Sequence, residues 1–147
     1  MRVLCLDLGG QRIGVALSDE TETLASALTT LRALGPRKDA QAVATLVREH
    51  DAGAVVVGVP WRLDGSLGPQ AEKALAFVER LRRSLRVPVV TRDERLTSVA
   101  ADERLAEAGV KRHARKDRID RASAVLILQE YLDEKRLKPV AGGGSAA

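Results

Sequence analysis

The sequence predicts a single α/β domain in which a mixed sheet carries helices on its faces. Two observations point there. The opening segments read as a strand hairpin followed by a third strand, and from residue 39 onward helical and strand-like segments alternate. A chain of 147 residues with 45% hydrophobic content can bury one core without disulfide or metal support, and is too short for two.

Val3 to Leu8 is continuously apolar except at Asp7, the pattern of a strand buried on both faces. Gly9-Gly10 follows, and Ile13-Gly14-Val15-Ala16-Leu17 reads as the hairpin partner. Asp19 to Thr23 is polar and turn-like, with a third strand expected near Ala25 to Leu31. From Asp39 to His50, Ala40, Val43, Ala44 and Val47 recur at helical spacing. Ala54 to Val59 is a buried strand that stops at Pro60. The turn formers Asp64-Gly65-Ser66-Leu67-Gly68 lead to Pro69, which suits a first helical position. That helix runs to about Leu85, with Ala71, Leu75, Val78 and Leu81 facing inward.

Val87 to Thr91 makes the next strand and delivers Arg92-Asp93-Glu94-Arg95 at its C-terminal end. Thr97 or Ser98 can cap a helix ending at Gly109. A basic segment then intervenes before a long helix from about Arg118 to Arg136, whose apolar face includes Ile119, Ala122, Val125, Leu126 and Tyr131. Residues 1–138 are expected to form the domain. The Gly/Ala/Ser-rich tail, 139–147, is expected to be disordered because it has too little apolar surface to order itself.

Composition narrows the function classes. With 24 basic and 20 acidic residues the net charge is +4, which permits an anionic partner without demanding one. Distribution says more. Between Lys111 and Arg121 the chain reads Lys-Arg-His-Ala-Arg-Lys-Asp-Arg-Ile-Asp-Arg, a positive run suited either to phosphates or to a solvated surface. Aromatic content of 2% is too low for a platform on which successive bases stack. Trp61 is read as a loop residue that packs over the core or else touches substrate, Phe77 and Tyr131 as core residues. The lone cysteine, Cys5, sits in the first apolar strand and reads as a small core hydrophobe in a reducing compartment. Neither His50 nor His113 has partners at zinc-ligand spacing. No secretory leader and no membrane span is legible, so a cytoplasmic protein without a membrane partner is expected.

Three acids stand out. Asp7 places an ionised carboxylate inside a doubly buried strand, which is costly unless it is paired, hydrogen-bonded or metal-bound; Arg12 is the nearest candidate for a structural ion pair. Glu94 follows a strand at the end where open α/β sheets place their sites, with Asp93 beside it as an alternative ligand, although an acid there can also simply open a turn. Asp120 is expected in the first turn of the final helix, where the helix dipole alone already favours a carboxylate. Hard divalent cations take oxygen ligands, and nuclease chemistry can use such ions held by carboxylates.

The segments Asp7-Leu8-Gly9-Gly10-Gln11-Arg12-Ile13-Gly14-Val15-Ala16, Gly58-Val59-Pro60 with Asp64-Gly65-Ser66, Asp93-Glu94-Arg95-Leu96-Thr97-Ser98, and Arg115-Lys116 with Ile119-Asp120 and Ala122 to Leu128 resemble the YqgF/RuvX family. The likeness spans nearly all of Arg2 to Leu132. It implies an RNase H-like fold with strand order 3-2-1-4-5, and Asp7, Glu94 and Asp120 converging as catalytic, metal-binding acids. Such families are described as pre-16S rRNA processing nucleases and as Holliday junction resolvases. The resemblance therefore implies Mg²⁺ or Mn²⁺, a substrate of RNA or branched DNA, and contact with ribosomal precursor particles. Arg12, Arg95, Lys111, Arg112, Arg115, Lys116 and Arg118 are the residues expected to grip phosphates. Cleaving a junction symmetrically needs paired active sites, so a homodimer goes with that reading. An actin-like ATPase, suggested by the opening strand and Gly9-Gly10, and a nucleic-acid-binding protein that does not cut are the rival readings.

Overall fold

β-Branched and aliphatic residues dominate the strands that build the sheet. The computed structural model describes residues 1–60, 64, 66–93 and 112–137, and within the last segment the side chains from 123 to 135. Strands β1 (Arg2–Leu8), β2 (Arg12–Ser18) and β3 (Ala25–Arg32) form an antiparallel meander. Strands β4 (Ala52–Val59) and β5 (Val89–Asp93) extend the other side of β1 in parallel, giving the order β3-β2-β1-β4-β5. Parallel neighbours need crossover connections. Helix α1 (Pro36–Glu49) lies between β3 and β4 in the chain, and α2 (Pro69–Ser84) between β4 and β5. The last described helix, α3, runs from Arg112 to Leu137.

Alternation along β1 divides the core in two. Leu4 and Leu6 pack with Val43 of α1 and with Phe77, Val78 and Leu81 of α2. Val3 and Cys5 face the other way, onto Ala124, Ile127, Leu128 and Leu132 of α3. Phe77 is therefore core as expected. Tyr131 is half-buried at the edge of the second cluster, with Lys135 Nζ 5.9 Å from its ring centroid. Trp61 lies outside the described residues.

Strands β1 to β4 run one or two residues longer than the sequence reading, and three other elements differ from it more. Helix α1 begins three residues earlier than expected, at Pro36. Gly35 adopts φ 128°, which favours glycine, and the Asp39 carboxylate accepts the backbone N–H groups of Leu34 at 2.9 Å and Gly35 at 3.3 Å. Strand β5 begins at Val89 and extends to Asp93. Pro88 has no N–H to give, and its carbonyl accepts from Val55 N at 2.9 Å. The guanidinium of Arg82 then holds the Val89 carbonyl through Nε at 3.1 Å and Nη2 at 2.9 Å.

The third difference is the largest. Helix α3 starts at Arg112, so residues 112–121 of the basic segment belong to the helix and do not form a linker before it. Arginine, lysine and alanine are strong helix formers, and their propensity outweighs the repulsion among like charges. Asp120 is thus the ninth residue of the helix and receives no support from a first turn. The helix expected to end at Gly109 and the tail from 139 lie outside the described residues.

The β2–β3 turn is tied to α3. The Asp19 carboxylate accepts from Thr23 N at 2.8 Å, Leu24 N at 3.1 Å and the Thr21 hydroxyl. Gln129 of α3 accepts from Ala25 N and donates to Thr23 O, both at 2.9 Å. Lys135 reaches Glu22 at 2.7 Å.

Candidate active site

The C-terminal ends of the parallel strands β1, β4 and β5 share one edge of the sheet. Asp7 lies next to the last residue of β1 and is only 7% exposed. In register it stands between Gly14 of β2 and Gly58 of β4, and Gly58 in turn pairs with Arg92 of β5. Neither neighbour of Asp7 in that row has a side chain, so the carboxylate is buried by the sheet without being crowded within it. Alternation puts Asp7 on the side of Val3 and Cys5, the face covered by α3.

Arg92 was not singled out from sequence, yet it closes this row. Its guanidinium meets the Glu134 carboxylate through both terminal nitrogens, with Nη1 to Oε1 at 2.9 Å, and Glu130 lies 3.7 Å away. The hydrogen bonds that Arg92 donates to Glu134, together with attraction from both glutamates, raise its pKa above the ordinary value against partial burial. Arg92 thereby pins β5 to α3 across the face that Asp7 occupies. The sequence signal was its spacing of two from Val90, which packs in the second core cluster.

Asp93 alternates away from Arg92, onto the α1–α2 side, and is exposed. That sets it on the opposite side of the sheet from Asp7. Glu94, Arg95 and Lys111 lie outside the described residues. Arg112, Arg115, Lys116 and Arg118 are carried on the first two turns of α3, and Asp120 one turn before buried Ala124. Arg12 opens β2, pairs in register with Arg32 of β3, and shares the parity of Gly14 and Ala16 on the α3 side. Cys5 is fully buried, as a core residue should be.

An all-carboxylate donor set suits a hard divalent cation, and Asp7 has the burial and the open flanks of such a ligand. Among the described residues no group of three or more histidine, cysteine, aspartate or glutamate side chains is placed to hold a metal ion, and the side chains of Glu94 and Asp120 are not among them. No described helix is long and apolar enough to cross a membrane.

The sheet order, the mixed pairing and the helices on both faces define an RNase H-like protein. Two solved structures share that fold. RuvC of Thermus thermophilus in complex with a Holliday junction substrate aligns with a TM-score of 0.58 at 17% identity, over 93% of this chain and 96% of that one. Fowlpox virus resolvase with Holliday junction DNA aligns with a TM-score of 0.57 at 15% identity, over 94% and 100%. The family profile described as "RuvX: Holliday junction resolvase" matches residues 1–134, and the chain belongs to that family. A Thermoanaerobacter pseudethanolicus protein named "Putative pre-16S rRNA nuclease" is 42% identical over 94% of this chain and 100% of its own length. A Roseiflexus protein of the same description is 46% identical over 92% and 96%. This membership makes the chain a nuclease, an enzyme that hydrolyses phosphodiester bonds.

Proposed function

We propose that this nuclease depends on a divalent metal, Mg²⁺ or Mn²⁺, and cuts structured RNA during the processing of precursor 16S rRNA. The observation that carries the metal is Asp7, a buried carboxylate between two glycines at the sheet edge where three parallel strands end. Glu94, next after the residue that closes β5, and Asp120, one turn before the buried face of α3, complete the proposed ligand set. Bound metal supplies an activated water and charge neutralisation at the leaving oxygen. The three acids hold the cation and are not nucleophiles.

The other residues bind and orient. Four basic residues, Arg112, Arg115, Lys116 and Arg118, occupy the first two turns of α3, where no acid stands in the first turn. Cations at a helix N-terminus oppose the helix dipole, whereas a phosphate there is favoured by dipole and side chains together. With Arg12 on the same side of the sheet as Asp7, and with Arg95 and Lys111, they would grip the backbone with little dependence on sequence. RNA is favoured because the relatives of high identity are named for pre-16S rRNA. That reading puts the enzyme in the cytoplasm beside ribosomal precursor particles, as one domain over residues 1–138. The family description supports a second reading, cleavage of branched DNA by a homodimer.

The test is a cleavage panel of precursor 16S rRNA, unstructured single strands and four-way junctions in Mg²⁺ and Mn²⁺, with Asp7→Asn, Glu94→Gln and Asp120→Asn alongside wild type. Precursor rRNA should be cut at defined positions by wild type, and each variant should lose most cleavage while still binding. Symmetric cutting of junctions by a dimer would favour the second reading. Cleavage that persists in all three variants would refute the site.

A further inference from the structure

A cavity of about 400 Å³ opens on the side of the sheet opposite Asp7, and none of the proposed phosphodiester chemistry uses it. Its apolar wall is formed by Leu8, Ile13, Ala74 and Phe77, residues of or against the α1–α2 core. Three polar groups interrupt that wall: Asp39 of α1, and Gln70 and Lys73 of α2. The Gly9-Gly10 turn between β1 and β2 forms part of the rim. Size and lining match a small-molecule site, apolar with a few placed polar groups.

We propose that this cavity receives one base of the bound nucleic acid, turned out of its stack, next to the phosphate held at Asp7. The inference deepens the nuclease reading and rests on it for the position of that phosphate. Leu8 follows Asp7 directly, and alternation sends their side chains to opposite faces of the sheet. A strand crossing the sheet edge over the Gly9-Gly10 turn can therefore leave a phosphate on one side and a neighbouring base on the other. The turn permits that passage because neither glycine has a side chain.

Phe77 supplies an aromatic surface for the base. Asp39 and Gln70 offer acceptors and donors for its polar edge. The Asp39 oxygens each already accept one backbone N–H, yet an ionised carboxylate has about four acceptor positions, so capacity remains for an exocyclic amine. Lys73 is exposed at the mouth, where it would meet the backbone phosphate. Exposed Arg32, Arg37 and Lys38 stand beside the lining residues Ala33, Pro36 and Asp39 and keep the surroundings positive. Enzymes that take a base out of its stack read it in such pockets by aromatic contact and edge hydrogen bonds.

Gly10 supplies a clean probe, because a Cβ built there meets no atom within 4 Å and its φ needs no glycine. Gly10→Leu should fold as wild type and project into the rim. The experiment titrates the isotope-labelled full chain with AMP, CMP and ribose 5-phosphate and follows the backbone amides of Gly9, Gly10, Lys73 and Phe77. AMP or CMP should shift them saturably, with ribose 5-phosphate at least about tenfold weaker and Gly10→Leu weakening nucleotide binding by a similar factor. Equal binding of ribose 5-phosphate, or unchanged nucleotide binding by Gly10→Leu, overturns the base pocket even if the enzyme cleaves well. Nucleotide binding at these amides by a wild type that cuts nothing supports the pocket and refutes the nuclease reading instead.

Discussion

At the residue scale, Asp7 is the position where burial and chemistry conflict most. Three carboxylates gathered without metal would repel and raise one another's pKa, so removing one charge relieves the site. Asp7→Asn is therefore expected to melt at or slightly above wild type in chelator. In millimolar Mn²⁺ the order should invert, because an ion that binds only the folded state stabilises by mass action and the variant has lost part of its site. Paired thermal melts decide it; a variant that melts far below wild type in chelator would make Asp7 a structural partner. Asp19 has a different task. Hydrogen bonds from the Thr21 hydroxyl, then from the Leu24 and Thr23 backbone, lower its pKa from 3.8 to about 2. A lowered carboxylate stabilises fully above its unfolded pKa and loses that contribution as pH falls through the folded value. The stability gap between wild type and Asp19→Asn should thus be constant above about pH 5 and close between pH 4 and pH 2 in denaturant titrations. A gap that persists below pH 2 would show that the carboxylate charge is not what orders the turn.

At the element scale, α3 has two unlike halves. Its second half buries Ala124, Ile127, Leu128 and Leu132, while its first carries the basic residues and Asp120. Reversing charge at Arg115 and Lys116 should separate the two roles. Glutamates suit the N-terminal half of a helix better than cations do, so Arg115→Glu with Lys116→Glu should leave Tm unchanged or raise it slightly. Nucleic-acid affinity should fall for many sequences alike, and the salt slope should flatten by about 0.9 for each duplex phosphate that the protein no longer neutralises. An unchanged slope in binding titrations at several salt concentrations would make the segment a bystander.

The same helix shows where sequence reasoning stopped. Val3 to Leu8, Ala54 to Val59 and the helix from Pro69 were legible because apolar continuity, periodicity and Pro69 all point the same way. The start of α3 was not, because a charge run has no hydrophobic period and Gly109 suggested a stop ahead of it. Asp7 announced itself as a charge inside an apolar strand. Glu94 and Asp120 drew notice from their places at a strand end and on the last helix, and the motifs around them gave them a proposed shared role. The cavity was hidden altogether, since its wall comes from the β1–β2 turn, the start of α1 and α2, segments that only folding brings together.

At the scale of the whole molecule, the sheet is sealed on both sides, and the sides differ in how the chain closes them. The α1–α2 face is covered by α1, which carries the chain from the edge strand β3 past β2 and β1 to β4, and by α2, which joins the neighbours β4 and β5. Among the described residues the other is covered by α3, locked to the β2–β3 turn through Gln129 and Lys135 and to β5 through Arg92. Leu128 is fully buried there, and Leu128→Ala should cost about 2–5 kcal/mol in denaturant unfolding. A loss below about 1 kcal/mol would mean that the face tolerates a cavity and that α3 is docked mainly by its polar ties.

That arrangement sets an order of events during synthesis. Strands β1, β2 and β4 precede α3 in the chain, so Val3, Cys5, Ala16 and Val56 are made well before the side chains that cover them. Domains complete themselves only when their last packing partner emerges, and until then such a surface invites aggregation or a chaperone. Asp120 rides on the same late helix as the seal. A nascent chain therefore cannot close this side of the core before that helix is made, and on the proposed ligand set it cannot become active earlier in its own manufacture.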